Sequence, residues 1–168
     1  ASDNYHLGAY GGGALGPLAL RLGAAYTWHD IETRRDVAFP GFSDELESDY
    51  DAGTAQGFAE IGYGLSIGTV DVEPFVNLAY VDLTTDGFSE TGGASALHAD
   101  RQTEDTTFTT VGLRAATGFD LGDLEVTARG LLGWRHAYGD VTPLSTQAFS
   151  LGDDFGVAGV PIARDAAA

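Results

Sequence analysis

The sequence predicts an all-β protein, an antiparallel up-and-down meander that forms part of a transmembrane β-barrel. Three observations support this fold class. Apolar and polar residues alternate with a period of two in six segments. The connections between these segments are alternately short and long, as they are at the two ends of an outer-membrane barrel. Aromatic residues collect toward the long-loop ends of the segments, where a bilayer interface would hold them.

The segment from Leu18 to His29 shows the alternation most clearly. Its even positions are apolar and end in Tyr26 and Trp28, whereas its odd positions are small, polar or charged. A helix would scatter these two sets around its circumference, so the period of two favours a strand.

The same alternation predicts five further strands. Three begin near Val70, Thr107 and Leu124, and two weaker ones cover residues 5–15 and 55–67. The sequence Ala-Arg-Asp-Ala-Ala-Ala at residues 163–168 stands where a seventh strand would begin. We therefore expect about six strands and the start of a seventh.

The connections between these strands alternate in length. Short turns are predicted at residues 16–17, 68–69 and 120–123, and long polar stretches at residues 30–50, 84–105 and 140–161. A soluble β-sandwich or a lipocalin-like barrel also alternates apolar with polar residues, but it has no reason to sort its loops by length.

The polar face of the predicted strands provides the candidate functional residues. Small residues are mixed there with charges of both signs, a pattern that suits a narrow lumen bridged by ion pairs. The predicted lumen-facing charged row comprises Arg21, Glu60, Glu73, Arg114, Glu125, Arg129 and Arg135. The predicted aromatic girdle comprises Tyr26, Trp28, Tyr80, Trp134 and Tyr138.

The orientation of the strands follows from the same pattern. One face should carry Leu18, Leu20, Leu22, Val72, Val76, Leu78, Val126 and Leu132, and the opposite face Arg21, Glu73, Arg114 and Arg129. A slip of one residue would invert every one of these positions.

Composition excludes several classes of protein. A chain of 168 residues has the length of one domain. It contains 25 acidic residues against 8 basic ones, all of them Arg, and its net charge of -17 would repel a phosphate backbone, so we expect no nucleic-acid partner. The absence of Cys excludes a disulfide framework and Cys-ligated metal centres.

Several short motifs invite a chemical role that their context does not support. Gly11, Gly13 and Gly16 fit the dinucleotide fingerprint, but Pro17 and an alternating strand follow where a helix would be needed. The triplet Asp-Phe-Gly at residues 154–156 has no lysine to complete a kinase site.

His29 beside Asp30, and His136, suggest hydrolysis, yet the chain lacks a G-x-S-x-G elbow. The acidic run at residues 44–51 lacks the spacing of a calcium loop, so a solvated extracellular loop is the simpler interpretation. We therefore expect no catalytic residues, no cofactor and no metal.

Four runs of sequence resemble the C-terminal translocator β-domain of bacterial autotransporters, which belong to type V secretion. The runs are ALGPLALRLGAAYTWHD, VEPFVNLAYVDLTTDGF, DTTFTTVGLRAATGF and GLLGWRHAYGDVTP. The resemblance implies a twelve-stranded barrel in the bacterial outer membrane, with a helix threading its lumen. It also implies that the domain anchors and helps export a passenger domain.

The resemblance places residues 1–168 in the middle of a longer β-domain, incomplete at both ends. The expected partners are the lipid bilayer, the passenger domain, and either missing strands of the same protein or other copies at the open strand edges. The alternative is a self-assembling extracellular or cell-surface fibre, tube or oligomer that is built from a barrel fragment through edge pairing.

Overall fold

The computed structural model describes residues 1–139, 141–149 and 152–167 and consists of antiparallel strands. The strands are β1 (Ser2–Leu15), β2 (Leu18–Phe39), β3 (Phe42–Tyr63), β4 (Leu65–Ile67), β5 (Val70–Thr85), β6 (Phe88–Ser89), β7 (Leu97–Ala99), β8 (Gln102–Leu121), β9 (Leu124–Tyr138), β10 (Leu144–Phe149), β11 (Phe155–Ala158) and β12 (Asp165–Ala167). None of the described residues forms a helix that is long and apolar enough to cross a membrane.

The strands form two sheets. The main sheet has the order β1-β2-β3-β5-β8-β9-β12, with β4 beside β5, and a smaller sheet has the order β11-β10-β7-β6. Six long strands of the main sheet follow one another as a meander. The short strand β12 pairs with β9, with Ala167 opposite Trp134, and forms the start of a seventh strand. The predicted all-β meander is confirmed.

Glycines make the short turns of the main sheet. Gly16, Gly68 and Gly122 have φ values of 62°, 63° and 67°, in the left-handed region that L side chains rarely adopt. They lie between β1 and β2, β4 and β5, and β8 and β9.

The long connections differ from the prediction. Residues 30–50 do not form a loop, because β2 and β3 continue to a tight turn at Pro40 and Gly41. Alternation persists in this stretch, but both of its faces carry polar residues, so its composition resembles that of a loop. The acidic run at residues 44–51 accordingly lies on β3. The other two connections contain β6 and β7, and β10 and β11, which form the smaller sheet.

The register of the main sheet separates two faces. Arg21 stands opposite Glu60, and Glu73 opposite Arg114, on what we call the charged face. Leu20 stands opposite Ile61 on the other side, the apolar face. All eight apolar residues named above share the apolar face, and the four charged residues named with them share the charged face, as predicted.

Burial in this sheet is the reverse of what a soluble protein shows. Glu60 on the charged face is 6% exposed, whereas Leu20 and Leu132 on the apolar face are 48% and 71% exposed. A soluble sandwich or lipocalin-like barrel buries its apolar rows, so the inversion argues against both. The apolar face therefore needs an apolar environment outside the chain.

Candidate functional site

Four of the predicted charged residues meet on the charged face. Arg21 lies on β2, Glu60 on β3, Glu73 on β5 and Arg114 on β8. Alternation points all four side chains to the same side of the sheet, and the register brings them to neighbouring positions. We call this group the charge cluster.

Each arginine of the charge cluster binds both carboxylates. Nη1 of Arg21 donates to Oε1 of Glu60 and Oε1 of Glu73, both at 2.9 Å, and its Nη2 donates to Oε2 of Glu73 at 3.0 Å. Nη1 of Arg114 donates to the same two Oε1 atoms at 2.9 and 2.8 Å, and its Nη2 to Oε2 of Glu60 at 2.8 Å. Two positive and two negative groups therefore neutralise one another through charge-assisted hydrogen bonds.

The cluster ties together strands that are not neighbours. Arg21 on β2 reaches Glu73 on β5 across β3, a gap of ~10 Å between strand axes. Gly62 on β3 makes this possible, because a Cβ there would lie 2.8 Å from Cδ of Glu73. The carboxylate of Glu73 thus occupies the space above a glycine.

An aromatic ring supports the cluster from below. The guanidinium carbon of Arg114 lies 3.8 Å from the ring centroid of Phe75, a cation–π contact. The ring of Phe75 lies over Gly112, where a Cβ would come within 2.6 Å of it. Phe75 is 5% exposed. The ring fills the space that Gly112 leaves and holds the guanidinium above it.

The remaining three residues of the predicted charged row lie on the same face of β9 but outside the charge cluster. Glu125 stands opposite Asp120, and Arg129 opposite Ala116. The guanidinium of Arg135 lies 5.1 Å from the ring centroid of Phe108. Alternation could assign the face of these residues, but only the register of β9 could show which of them reach the cluster.

The predicted girdle residues Tyr26, Trp28, Tyr80, Trp134 and Tyr138 all lie half-exposed on the apolar face. These residues run obliquely across the sheet in the order Trp28, Tyr80 and Trp134. From each one to the next, two strands further on, the position along the strand changes by four residues. This shift is ~13 Å along the strand for ~10 Å across it, the course of a level band on strongly tilted strands.

A second set of contacts, above the girdle, was missed by the sequence analysis. Nε of Arg35 on β2 donates to Oε1 of Glu90 at 3.1 Å, and Oδ2 of Asp44 accepts hydrogen bonds from N and Oγ of Ser95 at 2.9 and 2.8 Å. The alternation that continues past His29 was the available signal, because it places Arg35 on the charged face.

These contacts shift the acidity of the groups involved. The hydrogen bond from Arg35 lowers the pKa of Glu90, and that carboxylate in turn raises the pKa of Arg35. The hydrogen bond from the Ser95 amide lowers the pKa of Asp44. All three groups are therefore held in their charged forms.

The histidines considered for hydrolysis lie in other surroundings. Nε2 of His29 is 2.9 Å from Oγ1 of Thr54, and Nδ1 of His136 is 2.8 Å from Oδ1 of Asp165. A Ser–His–Asp set does occur in the smaller sheet, where Nδ1 of His98 is 2.9 Å from Oγ of Ser89 and its Nε2 is 3.3 Å from Asp100. The side chains of His98 and Asp100 are 58% and 86% exposed, so nothing there excludes water from a reacting group.

Comparison with known proteins assigns the chain to a family. The family model described as Autotransporter beta-domain matches residues 1–168. Two proteins of Serratia marcescens, both named "Extracellular serine protease", are 44% and 42% identical over 167 residues. The alignments cover 99% of this chain and 16% of each relative, so the chain spans about a sixth of the length of these relatives. The chain therefore belongs to the autotransporter β-domain family and is an outer-membrane translocator domain for a passenger.

Proposed function

We propose that the charged face lines the lumen of the translocator and that the apolar face meets the lipid of the outer membrane. The inverted burial carries this proposal. Carboxylates and hydroxyls are buried on one face of the strands whose leucines and aromatic residues are exposed on the other. A barrel wall has this distribution when its outside is lipid and its inside is polar.

The charge cluster has two effects in such a lumen. It braces β2, β3, β5 and β8 against one another, because each arginine holds carboxylates that belong to two strands. It also presents a neutral, fully paired polar surface to anything that passes. An extended polypeptide competes poorly for carboxylates that are already bound.

The passenger is the second part of the proposal. The two relatives are named as extracellular proteases, and such a protein must cross the outer membrane to act. We infer that the passenger linked to this β-domain reaches the cell exterior through the lumen that the charged face lines.

The open edges of the sheet determine how the lumen closes. The edge of β1 that faces away from β2 pairs with no other strand among the described residues, and β12 covers only residues 134–136 of β9. We propose that further strands of the same protein fill these edges, since an unpaired edge is not tolerated in lipid. Pairing with other copies of the chain is the competing arrangement.

Single cysteines in the full-length, membrane-inserted protein test the orientation of the wall. Val76, Asn77 and Leu78 are consecutive on β5, and Asn77 alone lies on the charged face. A cysteine at Asn77 should react with a charged, water-soluble maleimide. A bimane label on a cysteine at Val76 or Leu78 should be quenched by lipids that carry a nitroxide. The reverse pattern, or the same behaviour at all three positions, would show that the charged face does not line a lumen.

A further inference from the structure

A row of alternating aromatic and small residues crosses the charged face. Residues that stand directly opposite one another on successive strands run from β1 to β9 in the order Tyr10, Gly23, Phe58, Ala79, Phe108 and Ala137. Every second strand contributes a ring, and these strands are ~10 Å apart. We call this set the aromatic row. It lies next to the row that contains Arg21 and Glu60, on the side toward the girdle.

Two rings of the aromatic row are accessible from the charged face. Tyr10 is 91% exposed and Phe58 is 40% exposed, whereas Phe75 beneath the charge cluster is 5% exposed. The ring of Phe58 leans over Gly23, where a Cβ would overlap it. One side of this ring is therefore packed against the wall, and its exposed part can contact another molecule.

A hollow with a volume of about 510 Å³ lies beside these two rings. Its lining consists of three consecutive residues on each of four strands, residues 8–10, 23–25, 56–58 and 79–81. The first and third residues of each set point to the charged face, so the hollow opens there. None of the described residues that line it is charged. We call it the apolar hollow.

The apolar hollow interrupts a face that is polar on either side of it. Arg21 and Glu60 of the charge cluster lie in the next row toward the short turns. In the next row toward the girdle, Nδ1 of His6 is 2.9 Å from Oγ1 of Thr27. An accessible apolar surface that polar groups surround is typical of an interaction site.

Further strands of the barrel wall cannot fill the apolar hollow. Strands β2, β3 and β5 each pair with a strand on both sides, so any further strand joins the sheet at its edges and does not lie over this face. The occupant must therefore be a segment inside the lumen. The aligned region is 16% of each relative, so most of such a protein lies outside it and is available to enter the lumen as the passenger.

We propose that the apolar hollow and the aromatic row bind apolar side chains of the exported polypeptide while it passes through the lumen in an extended form. The proposal rests on the assignment of the charged face to the lumen. An extended chain exposes its apolar side chains to water, and contact with Tyr10 and Phe58 removes them from it. Such contacts are non-directional, so they accept many sequences. A bound side chain holds the polypeptide against backward movement until the next segment replaces it.

The loss of one ring tests the contribution of the aromatic row. Tyr10→Ser in the full-length protein widens the lumen but removes a binding surface, so we expect the passenger to appear on intact cells several-fold more slowly. Tyr10→Phe keeps the ring and should export at the normal rate. The matched control is Tyr5→Ser, because Tyr5 lies on the apolar face of the same strand, opposite Trp28, and this variant should also export normally. Export by Tyr10→Ser at or above the normal rate would overturn the proposal.

A photo-crosslinking residue locates the contact and does not depend on the folding of Tyr10→Ser. The residue p-benzoylphenylalanine replaces Phe58 in the apolar hollow, Thr110 on the charged face outside it, or Ala59 on the apolar face. The passenger is halted during export by an engineered disulfide loop. We expect several-fold more crosslinking to the passenger from position 58 than from position 110, and none from position 59. The crosslinked segment should change with the point at which the passenger is halted.

Equal crosslinking from positions 58 and 110 would overturn the role of the apolar hollow. A crosslink to one fixed segment, wherever the passenger is halted, would identify a resident segment as the occupant and would also overturn the proposal. Either result would leave the assignment of the lumen intact, because the cysteine labelling at residues 76–78 tests that assignment independently.

Discussion

At the scale of the residue, the charge cluster predicts that the loss of Arg114 destabilises the protein more than the loss of Arg129, which lies outside the cluster. Arg114→Ala leaves Glu60, whose side chain is 7% exposed, with only the hydrogen bond from Arg21 of the three that it accepts from arginines. Breaking a fully buried pair costs 3–5 kcal/mol, and the side chain of Arg114 is 33% exposed, so we expect a loss of about 2 kcal/mol. Urea unfolding of the full-length protein in lipid measures it.

Arg129→Ala is the control for this prediction. Arg129 lies on the same face but makes no ion pair among the described residues, so its removal should change the free energy of unfolding by less than about 0.5 kcal/mol. Equal losses in the two variants would contradict the role given to the cluster.

Gly112 gives a second prediction at this scale. A Cβ at this position would lie 2.6 Å from the ring of Phe75 and 2.8 Å from the backbone oxygen of Leu132. Gly112→Ala should therefore destabilise the protein by about 1–3 kcal/mol through overpacking. Gly118→Ala on the same strand and face meets no atom within 4 Å, and its unfolding midpoint should stay close to that of the unmodified protein.

At the scale of the element, acid should loosen the contacts between residues 86–101 and the hairpin of β2 and β3 before it affects the main sheet. The folded-state pKa values of Glu90 and Asp44 are lowered, so both groups stabilise these contacts above their ordinary pKa of about 4. This contribution is lost as the pH falls through the lowered values. The protection of the backbone amides in residues 86–101, taken as the intrinsic exchange rate at each pH divided by the observed rate, should therefore remain constant from pH 7 to about pH 5 and fall in stronger acid.

The variant Glu90→Gln isolates the contribution of the Arg35–Glu90 pair to this response. The protection in this variant should already be lower at pH 7, and its further loss in acid should be smaller, because of the two carboxylates only Asp44 remains. A variant that retains the full acid response would show that Glu90 is not the group concerned.

The sequence predicted the strands of the main sheet more completely than the parts above it. Between Leu18 and His29 one face is uniformly apolar, so the period of two is visible from composition alone. In residues 30–50 both faces carry polar groups. Burial alternates along the strands there, but residue type does not, so composition alone cannot reveal the strands. The smaller sheet depends on pairing between two different connections, such as Ala99 with Gln147, which no local pattern encodes.

The candidate site was predicted to the same extent. The face of Arg21, Glu60, Glu73 and Arg114 followed from alternation, but their convergence depends on Gly62, which looks like any other strand glycine in the sequence. By alternation alone, Arg129 could equally have belonged to the charge cluster, but the register places it opposite Ala116.

At the scale of the whole molecule, the open edges predict how purified material behaves. Among the described residues, the edge of β1 that faces away from β2 and most of the edge of β9 that faces away from β8 have no partner strand, so the isolated 168-residue chain should associate rather than remain a monomer. The full-length protein, with those edges filled by its own strands, should be monomeric in detergent. Light scattering of both samples decides the matter, and a detergent-free monomer of the 168-residue chain would contradict the barrel wall itself.

The turn at Pro40 and Gly41 has a consequence for the order of assembly. Strands β2 and β3 pair without interruption from Phe39 and Phe42 down to Leu18 and Tyr63, and the turn brings the first pair together. Loop closure is least costly there, so the hairpin can zip from its tip before distant strands join. The pairing register at the tip then determines which side chains of β2 and β3 lie on each face of the sheet below. A single residue inserted between Ile31 and Phe39 of β2, or between Phe42 and Ala52 of β3, would turn Arg21 or Glu60 toward lipid, unless a β-bulge absorbed it.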